Sequence, residues 1–125
     1  MMPLIYLACP YNDPDPAIRI ARFEAVNRAA AYFMAKGEYV FSPISHTHPI
    51  AMAGDLPHGW DHWQGYDRTI LSVCHKLYVL QLAGWDKSVG VAGEMQIAAE
   101  LGIPVFFVDT DPEVFDLIVT TAVIA

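Results

Sequence analysis

The feature that most restricts this chain is a recurrence of short apolar runs, each bounded by proline or glycine and separated by stretches of helical character. Leu4-Ile5-Tyr6-Leu7-Ala8 stops before Pro10, Glu38-Tyr39-Val40-Phe41-Ser42 stops at Pro43, Lys76 to Leu82 leads to Gly84, and Ile103-Pro104-Val105-Phe106-Phe107-Val108 follows Gly102. Runs of this length without polar alternation suit strands buried on both faces, as parallel strands are. Between the first two runs, Ile18, Ala21, Ala25, Ala29, Tyr32 and Phe33 recur near helical spacing over Ala17 to Lys36, and Gly37 sits where a C-terminal cap belongs. A second helix is expected over about Trp60 to His75, and a third from the stretch after Gly84 to Gly102. This alternation predicts a single-domain, doubly wound α/β fold of the Rossmann-like or flavodoxin-like type, a parallel sheet of four or five strands with helices on both faces. The tail leaves two readings open, because Asp111-Pro112 starts like a helix while Leu117 to Ile124 is rich in β-branched residues.

A chain of 125 residues is one ordinary domain, able to bury a core without disulfides or a metal staple. Hydrophobic residues make up 54% of it, yet its apolar runs stay far below the roughly 18 to 20 residues of a membrane span. The start, Met1-Met2-Pro3-Leu4-Ile5, has no basic segment leading into a long apolar one, so a cytoplasmic location is expected. Cys9 and Cys74 are too few for a disulfide framework and share no metal-type spacing. With 14 acidic against 7 basic residues the net charge is -7, which argues against a nucleic-acid polymer as partner. A small anion is still compatible, since a few backbone N–H groups and one arginine hold a phosphate locally.

In α/β sheets, ligands bind beyond the carboxyl ends of the strands. Here those ends are Cys9-Pro10-Tyr11, Ser42-Pro43 with the histidine-bearing stretch after it, Gly84-Trp85-Asp86, and Asp109-Thr110-Asp111. The richest is Gly84 to Gln96, which reads as a glycine-rich loop entering a helix and carries Asp86 and Glu94. Gly84, Gly90 and Gly93 are expected where the backbone turns tightly or approaches a ligand. A carboxylate can attack an anomeric carbon while a second acid helps the leaving group depart. Ser88 and the amides near Gly90 and Gly93 lie at a helix mouth that suits an anion. Plainer roles stay open for each: solvated helix acid for Glu94, turn former for Asp86, N-cap for Ser88.

Pro43 to Gly59 is expected to be a long functional loop. His46, His48, His58 and His62, with Asp55 and Asp61, invite a metal reading. No His-x-x-x-His pair with a glutamate is present, so neither metal nor cofactor is expected. The histidines with Trp60, Trp63 and Tyr66 read as a lid that stacks on a base or closes a pocket. The core face of the second helix is the other reading of these aromatics.

Tyr6-Leu7-Ala8-Cys9-Pro10-Tyr11 resembles the Tyr-Leu-Ala-Gly-Pro-Phe motif of nucleoside 2-deoxyribosyltransferases, and Ser88 to Glu94 resembles the Ser-x-Gly-x-Gly-x-Glu segment of the related 2'-deoxynucleoside 5'-monophosphate N-glycosidases. Ala98 to Val105 is similar to the segment that closes the motif in that superfamily, and the Gly-Trp-Asp-x-Ser element resembles the DUF1937 branch. The resemblance implies N-glycosidic cleavage or deoxyribosyl transfer on a small nucleoside or nucleoside 5'-monophosphate. It makes Glu94 the nucleophile on C1', with Tyr6 orienting it, Asp67 on the sugar hydroxyls and Asp86 toward the base. Ser88 and Gly90 would hold a 5'-phosphate, with Arg19 or Arg22 as partner or, on the plainer reading, as ordinary helix residues. Cys9, Pro10, His46 and Trp60 complete the substrate-contacting candidates. Cys9 departs from the family's glycine and is read as a buried, inert thiol. The six-residue step from Ser88 to Glu94 matches the monophosphate glycosidases. A homodimer or larger homo-oligomer is expected. The alternatives are a nucleotide-binding sensor without turnover and an NAD-cleaving glycohydrolase.

Overall fold

The computed structural model describes residues 2–110 and 117–121. The elements are β1 (Leu4–Ala8), α1 (Pro16–Ala35), β2 (Tyr39–Phe41), α2 (Pro43–Gly54), α3 (Trp60–Leu71), β3 (Lys76–Leu80), a 3-10 turn (Trp85–Lys87), α4 (Val89–Leu101), β4 (Val105–Thr110) and β5 (Leu117–Thr121). One five-stranded sheet runs in the order β2-β1-β3-β4-β5. The first four strands are parallel and β5 pairs antiparallel with β4. The protein is therefore α/β with a mostly parallel sheet, and β1 to β4 all end on one edge.

Alternation along the strands divides the core in two. Ile5, Leu7, Tyr78, Leu80 and Val108 pack with Val26, Ala29, Ala30 and Phe33 of α1. Tyr6, Ala8, Leu77, Val79 and Val105 pack with Leu71 of α3 and Val91, Ile97 and Ala98 of α4. Asp15 caps α1 by accepting from the Ala17 N–H, and Pro16 needs no partner at the first turn. The inward face of α1 is not the one the spacing gave throughout, for Ile18 is 40% exposed.

The expected loop over Pro43 to Gly59 is mostly a helix, α2. Ser42 accepts from the Ser45 N–H as N-cap, Pro43 occupies the first turn, and Asp55 closes the helix in the left-handed conformation at φ 52°. The prolines read there as loop punctuation therefore include one that starts a helix. Helix α3 ends at Leu71 rather than His75, because Val73 and Cys74 turn back onto Ile70 and Leu71 and the His75 N–H is drawn to the Leu4 carbonyl. Strand β3 ends at Leu80, before a tight turn in which the Leu82 N–H bonds the Leu80 carbonyl. Strand β4 starts at Val105 because Pro104 has no N–H for the ladder, and pairing with β5 carries it on to Thr110. The open question of the tail resolves to strand over Leu117–Thr121. The helical start read at Asp111-Pro112 lies outside the described residues.

Candidate active site

A cavity of about 370 Å³ opens at the carboxyl edge of the parallel strands. Cys9, Tyr11 and Asn12 after β1 contribute to it, as do His58, Asp61 and Asp67 at and before α3, and Lys87, Ser88 and Glu94 at and within α4. Helix α2 adds Ile44, Thr47, His48 and Ala51, the i, i+3, i+4, i+7 face of one helix. The volume falls in the ~300–1,000 Å³ range of small-molecule sites.

Glu94 and Asp67 are both buried and both line this cavity. Burial first, and then the Asp67 charge, push Glu94 up to about 8 despite help from the Tyr6 hydroxyl. Burial likewise lifts Asp67 to about 6, with Tyr6 pulling the other way. Between these values the two carboxyls hold one proton between them. The Tyr6 hydroxyl is completely buried and its pKa is raised by burial and by both carboxylates. It stands close enough to both acids to influence them, yet it meets neither at hydrogen-bonding geometry and is an unpartnered buried polar atom. Such an atom costs about 1–3 kcal/mol if nothing completes it. It lies beside two carboxylates and outside the cavity lining.

Ser88 caps α4 and also lines the cavity. Its Oγ accepts from the Val91 N–H at 3.2 Å. A capping hydroxyl keeps its own proton free to donate. Gly90 lines the cavity beside it. Gly84 takes the positive φ of 88° that the turn after β3 requires. Gly93 has a different reason: a Cβ there would lie 2.4 Å from Cζ2 of Trp60. The Trp60 indole is seated against α4 at Gly93 and Gly90, and from there it forms part of the cavity wall. Trp63 also lines the cavity and donates its indole N–H to the Pro57 carbonyl at 2.8 Å.

Several expected residues stand elsewhere. Asp86 is exposed on the 3-10 turn and is not part of the cavity lining. Pro10 is fully buried and is not part of the lining. His46 is exposed on the outer side of α2, stacked on Tyr66 with ring centroids 6.3 Å apart. Arg19 bonds the Asp13 carbonyl. Arg22 donates to the carbonyls of Tyr11, Asn12 and Ala83, so it ties the segment after β1 to the segment after β3. Cys9 does line the cavity, but burial with the Glu94 charge drives its thiol far above the ordinary range, the behaviour of an inert cysteine. His48, read as part of a lid that stacks on a base or closes a pocket, is buried on α2 at the cavity wall. Its signal was present, since Ser42-Pro43 is an N-cap and first-turn pair that starts a helix. Among the described residues, no group of three or more His, Cys, Asp or Glu is arranged to hold a metal ion, and no helix is long and apolar enough to cross a membrane.

Fold and site together define an α/β protein with a paired-carboxylate cavity at the carboxyl edge of its sheet. The sequence model of DUF1937, a domain of unknown function, matches residues 3–110, and the chain belongs to that family. Comparison with curated proteins gives no match.

Proposed function

We propose that this protein cleaves the N-glycosidic bond of a small nucleoside or nucleoside 5'-monophosphate, as a doubly wound relative of the nucleoside 2-deoxyribosyltransferases and monophosphate N-glycosidases. The observation that carries the reading is the buried Glu94–Asp67 pair beside the Tyr6 hydroxyl. Covalent glycosyl transfer needs one ionised carboxylate and one protonated acid, and a pair holding a single proton between about pH 6 and 8 meets both needs. In the free pair the proton is held by Glu94, the weaker acid; when it passes to Asp67, the Glu94 oxygen bonds C1' as the C1'–N bond breaks. The electron pair goes to the base nitrogen, which takes the Asp67 proton. Water then adds to C1', Asp67 accepts its proton, and the bond to Glu94 breaks; a second base in place of water gives transfer. Asp67 suits the acid role better than Asp86, which stands away from the cavity. Tyr6 orients Glu94, while Ser88 and Gly90 at the start of α4 suit a 5'-phosphate. The exposed Met34 and Tyr39 beside a shallow groove at β2 favour a homo-oligomer, which light scattering would measure.

The test is incubation with deoxynucleosides, their 5'-monophosphates, ribonucleotides and NAD, with chromatography for released base. Base release is expected from at least one of them, with a bell-shaped pH profile whose limbs lie near 6 and 8. Glu94→Gln is expected to lose about 10³-fold or more. No release from any compound, or an undiminished Glu94→Gln, overturns the reading. Adding a second free base and looking for exchange separates transfer from hydrolysis. One observation favours a binding module without turnover: a Glu94 that keeps its proton up to about pH 8 is a ready hydrogen-bond donor. Ligand-induced thermal stabilisation without released base would decide for that alternative.

A further inference from the structure

Helix α2 and the segment after β1 bring together a pair of side chains that the carboxylate chemistry leaves unused. The Tyr11 hydroxyl meets Nδ1 of His48 at 2.5 Å. The His48 ring also stacks on Phe23, with centroids 4.3 Å apart and planes 26° apart. The imidazole is thus held at one nitrogen and on one face. Both Tyr11 and His48 are buried, and both line the cavity.

The Tyr11–His48 bond is compatible with either neutral tautomer of the ring, and the one in which the Tyr11 hydroxyl donates leaves Nδ1 as the acceptor. A neutral ring that accepts at Nδ1 carries its own proton on Nε2. Burial, and after it the charges of Arg19 and His58, push the His48 pKa down and keep the ring neutral at pH 7. Nε2 is not sealed away, since among the described residues Tyr6 Oη is the buried side-chain polar atom with no partner.

We infer that His48 is a substrate-contacting residue whose Nε2–H donates to an acceptor on the nucleobase, and that Tyr11 is the positioning residue that fixes its tautomer. The inference rests on the glycosidic reading for the identity of the ligand as a nucleobase. As the C1'–N bond breaks, electron density moves into the base ring and strengthens any bond donated to it. The contact therefore favours departure over ground-state binding and is felt in kcat as well as in KM.

Base release is to be compared for wild type, His48→Asn, His48→Gln and Tyr11→Phe on the deoxynucleoside 5'-monophosphates and their 3-deaza and 7-deaza purine analogues. His48→Asn is expected to lose about tenfold in kcat/KM, the worth of one neutral hydrogen bond. His48→Gln, whose amide nitrogen reaches the Nε2 position, recovers most of that loss, and Tyr11→Phe falls between the two. On an analogue lacking the contacted acceptor, wild type and His48→Asn converge. Equal losses for the asparagine and glutamine variants, with the same penalty on every analogue, overturn the inference while leaving Glu94 chemistry intact. A second arm needs no turnover: thermal stabilisation by free adenine, guanine, cytosine and thymine is measured for wild type and His48→Asn. At least one base is expected to stabilise wild type more than the variant, even if no substrate is cleaved. Equal shifts, or none with any base, overturn the contact.

Discussion

The two faces of β1 show opposite uses of one strand. Ile5 and Leu7 point into an apolar core with Val26, Ala29 and Phe33, where every buried side chain gains from leaving water. Tyr6 points the other way, toward Asp67 and Glu94, where an unpartnered hydroxyl and two carboxyls are buried at a net cost. Both faces bury an apolar core, and the α3/α4 face also carries the buried hydroxyl and acids of the site. Substitutions should therefore separate stability from activity according to the face they touch.

The largest stability effect is expected on the α1 face. Leu7→Ala removes a fully buried side chain and should cost about 2–5 kcal/mol, read from denaturant unfolding. Glu94→Gln should do the reverse on the other face, and its effect should depend on pH. Below pH 4.5 the carboxyl is protonated in both states; between 4.5 and about 8 the folded chain keeps a proton that the unfolded chain has lost. Stability from this group is thus fully present below 4.5 and lost as pH rises through about 8, at roughly 1.4 kcal/mol per unit. The glutamine variant should gain on wild type over that window, and melting curves that stay parallel across it would break the contrast between the faces. Smaller again is Gly93→Ala, whose Cβ meets the Trp60 ring and should cost about 1–3 kcal/mol with a change in tryptophan fluorescence. Gly90→Ala is the control: its Cβ would be 3.8 Å from the same ring, and helix propensity should offset the contact to within about 1 kcal/mol.

The parts of this protein visible in its sequence are those governed by local rules. Apolar runs marked the four parallel strands, and Ser88 followed by Gly90, Gly93 and Glu94 marked the mouth of α4. Helix α2 was hidden because Pro43, Pro49 and Gly54 read as loop punctuation, although Ser42 and Pro43 are a start signal and Pro49 is carried inside the helix. Missing that helix exchanged the histidines. On an extended chain His46 and His48 are equivalent candidates, whereas on α2 one faces solvent and the other the cavity. The pairing of Asp67 with Glu94 joins α3 to α4 across the fold, so no periodicity reveals it; resemblance alone had brought Asp67 forward. Gly90 and Gly93 stand inside α4 and not in the expected loop before it, and the physical need for Gly93 is a tryptophan more than thirty residues earlier.

Trp60 and Gly93 divide one volume between two helices, and that has an evolutionary corollary. A relative with alanine or serine at position 93 must free the space by carrying a smaller side chain at position 60. The two positions are expected to change together, and the pocket would change shape whenever they do.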